Sequence, residues 1–160
     1  MSILLDTGVL LRVSNRDDPL HQSVRGAVRG LKECKEQVLT TLQNVSEFWN
    51  VCTRPASARG GLGLDVAQAE RRLRLIERIV SVLPEPAGLY SRWREIVLSH
   101  RVLGVQVHDA KLVAAMILHG ILRILTLNPA DFSRYQMIST VTPQQVLTPQ
   151  PTPPPSPPAS

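Results

Sequence analysis

Residues 3–11 read Ile3-Leu4-Leu5-Asp6-Thr7-Gly8-Val9-Leu10-Leu11. Residues 2–5 form an apolar run without polar alternation, as expected for a short strand buried on both faces. Asp6-Thr7 ends the strand, and Val9, Leu10 and Val13 carry the chain into a helix. The pattern returns near the other end of the chain. Ile121 to Leu125 is a nearly unbroken apolar strand, followed by Thr126, Asn128, Pro129 and Asp131.

Between these strands, short apolar runs alternate with helical patterns. Pro19 suits the start of a helix through Val24, Val28 and Leu31. Gln37–Thr40 is a second strand candidate. Thr41 then caps a helix with Val45, Phe48, Trp49 and Cys52 at i, i+3, i+4, i+7, ended by Arg54-Pro55. Residues 56–64 (ASARGGLGL) are expected to be a flexible arm beside the site, reaching substrate through Arg54 and Arg59. They lack the GxxxxGK pattern and follow a helix, so they are no phosphate loop. Asp65 caps an amphipathic helix whose expected buried stripe is Val66, Ala69, Leu73, Ile76 and Val80. Its arginines (71, 72, 74 and 78) suit either a solvated face or an RNA-facing patch. SVLPEP reads as strand and turn, 87–100 as a helix, and 108–120 as a helix closed by Gly120. Residues 136–138 are an expected edge strand. Strand–helix alternation predicts an α/β fold with a central parallel sheet.

The chain divides into a domain over 1–142 and a tail over 143–160. The tail holds eight of the 13 prolines and no charged side chain, so it is expected to be disordered or polyproline-like. Its role is either inert or partner-docking.

With 160 residues and 43% hydrophobic content, the chain can bury one sizeable core. Lys and Arg outnumber Asp and Glu by 18 to 13, a net charge of +5. Such a surface attracts polyanions. Cys34 and Cys52 form no CxxC or His/Cys cluster, which argues against structural zinc and fits a reducing cytosol. No apolar stretch of about 18 residues exists to span a membrane. The N-terminus has no basic region of the kind that opens a signal peptide.

Four carboxylates fall at element ends: Asp6, Glu47, Asp109 and Asp131. In parallel α/β sheets, ligands gather beyond the carboxyl ends of the strands. Carboxylates brought together there repel and take up protons unless a cation neutralises them. Hard oxygen donors favour Mg²⁺ or Mn²⁺ over zinc. Other readings exist for each residue. Asp109 could face its own helix dipole, and Asp131 could be a turn residue after Pro129. Glu47 sits beside Phe48 and Trp49, where a solvated role is less natural. An aspartyl-phosphatase reading is disfavoured, because the second Asp it needs two positions after Asp6 is Gly8.

Four segments in order carry a family resemblance: ILLDTGVLL (3–11), NVSEFWNV (44–51), VHDAKLVAAM (107–116) and LTLNPADF (125–132). The chain resembles the PIN-domain ribonucleases, and within them the VapC-type toxins of bacterial toxin–antitoxin pairs, over residues 2–140. The resemblance implies a three-layer α/β/α sandwich. It implies a catalytic, metal-holding set of Asp6, Glu47 and Asp109, with Asp131 as the fourth acid and Asn128 as its competitor. Thr7, Asn44 and Thr126 become site-positioning candidates. The position after Asp6-Thr7 is often Asn in that family and here is Gly8. Also implied are Mg²⁺- or Mn²⁺-dependent endonucleolytic cleavage of RNA, a cytoplasmic homodimer and inhibition by a small antitoxin protein. A catalytically weak PIN-like module that binds nucleic acid or a partner is the alternative.

Overall fold

The computed structural model describes residues 1–148. Five strands make one all-parallel sheet: β1 (Ser2–Leu5), β2 (Gln37–Thr41), β3 (Ser81–Leu83), β4 (Arg123–Leu125) and β5 (Ser139–Val141), in the order β3-β2-β1-β4-β5. The helices are α1 (Thr7–Ser14), α2 (His21–Glu33), α3 (Leu42–Thr53), α4 (Val66–Glu77), α5 (Leu89–Ser99), α6 (Val107–Leu118) and α7 (Pro143–Leu147).

The period-2 alternation of a strand divides the core into two halves. Ile3 and Leu5 of β1 pack with α1–α4, against Val9, Val24, Phe48 and Ile76. Leu4, between them, packs on the other face with α5 and α6, against Ile96, Val113 and Met116. In β4, Leu125 joins the first half and Ile124 the second. The sheet therefore lies between two helical layers, the α/β/α sandwich that the family resemblance implies. Both central strands are apolar because neither face meets water.

The element ends follow local chemistry. Asp6 caps α1, accepting from the Thr7 amide. Thr41 caps α3, accepting from the Asn44 amide. Asp65 and Gln68 form a reciprocal capping box on α4. Gly120 follows α6 with φ 69, in the left-handed region open to glycine.

Four expectations change. The edge strand lies at 139–141 rather than 136–138, because Ile138 turns inward as a core residue. Val66 is not part of the buried stripe of α4. It is 69% exposed at the first helical position, while Ala69 and Ile76 are buried.

Residues 56–64 are not a loose arm. The amides of Leu62, Gly63 and Leu64 donate to the carbonyls of Val51, Arg54 and Cys52, which folds the loop back on the end of α3. A Cβ on Gly61 would stand 2.2 Å from the Pro55 carbonyl oxygen, so only glycine admits that approach.

The expected tail boundary at 142/143 also moves. Residues 143–147 form α7, capped by Thr142 and Gln145 and packed on α2. Pro143 supplies the start of the helix, and Val146 and Leu147 lie over Gly30 and Gly26. Residues 149–160 of that expected tail lie outside the described residues. Among the described residues, no helix is long and apolar enough to cross a membrane.

Candidate metal centre

The carboxyl ends of β1, β2 and β4 meet at one rim. The Asp6 amide donates to Leu125 O, which extends the β1–β4 pairing to the first carboxylate. Asp6 Oδ1 accepts from its neighbour's amide, Thr7 N, at 2.7 Å, and Oδ2 accepts from Thr126 Oγ1 at 2.7 Å. Thr126 is fully buried, so its hydroxyl is a fixed donor.

Glu47 comes to the same rim from one turn inside α3. Its Oε2 accepts from Thr7 Oγ1 at 2.8 Å. That hydroxyl in turn accepts from Asn44 Nδ2 at 3.1 Å, and Asn44 Oδ1 accepts from Thr41 Oγ1 at 2.7 Å. Asn44 is completely buried and has a partner for each half of its amide. This chain of neutral groups locks α3 to the β1–α1 junction, since a buried polar group left unpaired costs about 1–3 kcal/mol. On the other side, Gln43 Nε2 donates to Glu47 Oε1 at 3.0 Å and to the His108 carbonyl at 2.9 Å.

Asp109 lies in the first turn of α6, half-buried. Its carboxyl is pushed up to about 6, first by burial and then by the charges of Asp131, Asp6 and Glu47, with His108 pulling the other way. The Asp6 carboxyl is also raised. Burial is the main cause, hydrogen bonds from Thr126 and the Thr7 amide oppose it, and Glu47 and Asp131 add to it. All four carboxylates thus share one electrostatic neighbourhood.

The other expected residues divide. Asp131, exposed on the turn after β4, lies near enough for its charge to act on both Asp6 and Asp109. Asn128 instead lines a separate recess with Gly8, Arg12, Leu127 and Pro143, and its amide donates to Thr126 Oγ1. Arg54, Glu47 and His108 line a cleft of about 730 Å³ between α3, α6 and the turn after β3. Arg59 is exposed and is not among the residues of that cleft. Gln43 was missed from sequence, although its i, i+4 spacing to Glu47 is the signal that could have found it.

Among the described residues, no three His, Cys, Asp or Glu side chains already form a closed metal cage. The donor set nevertheless suits a hard dication. It offers carboxylate oxygens alone, and burial first and then mutual repulsion raise two of the carboxyls. Asp6, Glu47, Asp109 and Asp131 are the residues whose carboxylate oxygens would hold such an ion.

The family model for the PIN domain matches residues 3–136. The chain belongs to the PIN-domain family. No curated protein matches it in sequence. Among solved structures, this PIN domain is similar to VapBC2 of Rickettsia felis, bound to a promoter DNA fragment. The TM-score is 0.68 at 12% identity, over 89% of this chain and 98% of that one. VapBC-1 of nontypeable Haemophilus influenzae gives 0.63 at 12%, over 90% and 99%. VapC20 of Mycobacterium tuberculosis, a sarcin-ricin loop cleaving toxin, gives 0.53 at 25%, over 76% and 86%. The first two likenesses concern the fold of the PIN domain.

Proposed function

We propose that this PIN domain is a metal-dependent endoribonuclease and the toxin of a toxin–antitoxin pair. The observation that carries the reading is the arrival of Asp6, Glu47, Asp109 and Asp131, from four separate elements, in one electrostatic neighbourhood. Similarity to a sarcin-ricin loop cleaving toxin supports RNA as the substrate, and the net charge of +5 suits a polyanion. Similarity to VapBC structures supports a cognate antitoxin as partner.

In this reading the four carboxylates hold Mg²⁺ or Mn²⁺. When bound, the dication supplies Lewis acidity for phosphodiester hydrolysis by water. Thr126 orients Asp6, and Thr7 orients Glu47. Burial and the neighbouring carboxylates push the Asp109 carboxyl up to about 6 in the metal-free site, and that proton is displaced when a dication binds. Arg54 and His108 offer donors to backbone phosphates along the cleft.

The test is cleavage of a structured RNA by the purified chain with Mg²⁺, with excess EDTA, and in Asp6→Asn. Cleavage only by the unchanged protein with metal is expected. Undiminished cleavage in EDTA, or by Asp6→Asn, would sink the mechanism.

A further inference from the structure

We propose that Gln43 is a positioning residue that sets Glu47 against the start of α6 and so controls how tightly the acidic set holds a divalent cation. The inference rests on the reading of the site as a metal centre.

The amide nitrogen of Gln43 has two hydrogens, and both are used. One goes to Glu47 Oε1 at 3.0 Å and the other to the carbonyl of His108 at 2.9 Å. His108 directly precedes Asp109. A single amide therefore ties one candidate ligand to the backbone that carries another, across 65 residues of sequence. The i, i+4 spacing within α3 puts Gln43 beside Glu47.

The rest of the Gln43 environment points the same way. Its carbonyl oxygen is buried without a hydrogen-bond partner. Burying an unsatisfied acceptor is unfavourable and calls for an explanation. Here the amide satisfies two acceptors through its nitrogen while leaving its own oxygen unpaired. A leucine would fill the space without that cost, but it would leave Glu47 Oε1 and the His108 carbonyl without this donor. Glu47 Oε2 is held from the opposite side by Thr7. Thr7 and Gln43 thus fix both oxygens, and each oxygen keeps a lone pair for a cation. Groups that orient a ligand from behind in this way affect metal affinity by about 10–100-fold.

The experiment is calorimetric titration of Mn²⁺ into the 160-residue chain, Gln43→Leu, Glu47→Gln and the double variant, with thermal melts of each. Gln43→Leu is expected to weaken Mn²⁺ binding about tenfold or more. The double variant is expected to bind no more weakly than Glu47→Gln alone, because Gln43 acts through Glu47. In Gln43→Leu the Mn²⁺ concentration for half-maximal RNA cleavage should rise, with kcat recovered at saturating metal. If Gln43→Leu does not fold, Gln43→Met takes its place in the same cycle.

Unchanged Mn²⁺ affinity in the single variant overturns the positioning role, as does a further additive loss in the double variant. An unchanged chain that binds no Mn²⁺ overturns the metal reading itself, and the role of Gln43 with it.

Discussion

The Thr7 hydroxyl donates to Glu47 Oε2 at 2.8 Å across 40 residues of sequence, and Thr7 Oγ1 itself accepts from the buried Asn44 side-chain amide. One hydroxyl thus joins the residue after the first site carboxylate to the second. Thr7→Val keeps the shape and removes both bonds. It is expected to cost about 1–3 kcal/mol in urea unfolding, because Asn44 is left with an unpaired buried donor. It should also lower RNA cleavage, while Thr7→Ser retains both. Wild-type stability in Thr7→Val would show that the bond contributes nothing.

The raised carboxyls of Asp109 and Asp6 give the metal-free protein a particular response to pH. A group whose pKa is higher folded than unfolded binds its proton first in the folded state. Its contribution is therefore complete below the ordinary value of 3.8 and is lost as pH rises through the folded value, about 6 for Asp109. Melting temperature in EDTA should fall between pH 4 and pH 7 from this cause. Asp109→Asn should flatten the fall, and Mg²⁺ should restore stability at neutral pH. A wild-type curve that rises over that window, with Asp109→Asn parallel to it, would contradict the assignment.

Two glycines should respond in opposite ways to alanine. A Cβ on Gly8, in the first turn of α1, meets only Arg12 Nη1 and Leu127 Cδ1, each at 3.8 Å. Gly8→Ala should stabilise by about 0.4–1 kcal/mol through the unfolded chain. A Cβ on Gly61 would strike the carbonyl oxygens of Pro55 at 2.2 Å and Arg54 at 2.6 Å. Gly61→Ala should destabilise by about 1–3 kcal/mol. Chemical denaturation of both variants reads the two signs directly.

The seat of α7 on α2 predicts different outcomes for two truncations. A stop after Thr142 removes Val146 from the core it packs against. Relative to a stop after Thr148, it should lower stability by about 1–3 kcal/mol, the scale of one buried aliphatic side chain. Equal melting temperatures would mean that α7 adds nothing to the domain.

The parallel sheet and its helices were legible because their signals are local. Ile3-Leu4-Leu5 reads as an inner strand, and Thr41 and Asp65 announce helix starts by capping chemistry. In sequence Asp6, Asp109 and Asp131 stand out as carboxylates near element ends, and Glu47 by its place beside Phe48 and Trp49 inside a helix. What escaped depends on contacts between distant segments. No spacing rule says that Gly61 must lie against Pro55, or that Pro143–Leu147 will find a groove over Gly26 and Gly30. Residues 136–138 and 139–141 are both plausible edge strands until Ile138 is seen to turn into the core. In sequence Asp131 is the preferred fourth acid and Asn128 its competitor. The structure turns Asn128 into a separate recess and leaves Asp131 within electrostatic reach of Asp6 and Asp109.

The pairing of β1 with β4 also bears on when activity can first arise. Asp6 receives its hydrogen bond from Thr126, 120 residues later, and β4 enters the sheet beside β1. A ribosome-bound chain short of this point carries Asp6, Glu47 and Asp109 but has no strand to complete the rim. On the proposed reading, a growing polypeptide has no complete site until β4 has been made and has paired with β1. The order of the strands would then act as a timer on the nuclease.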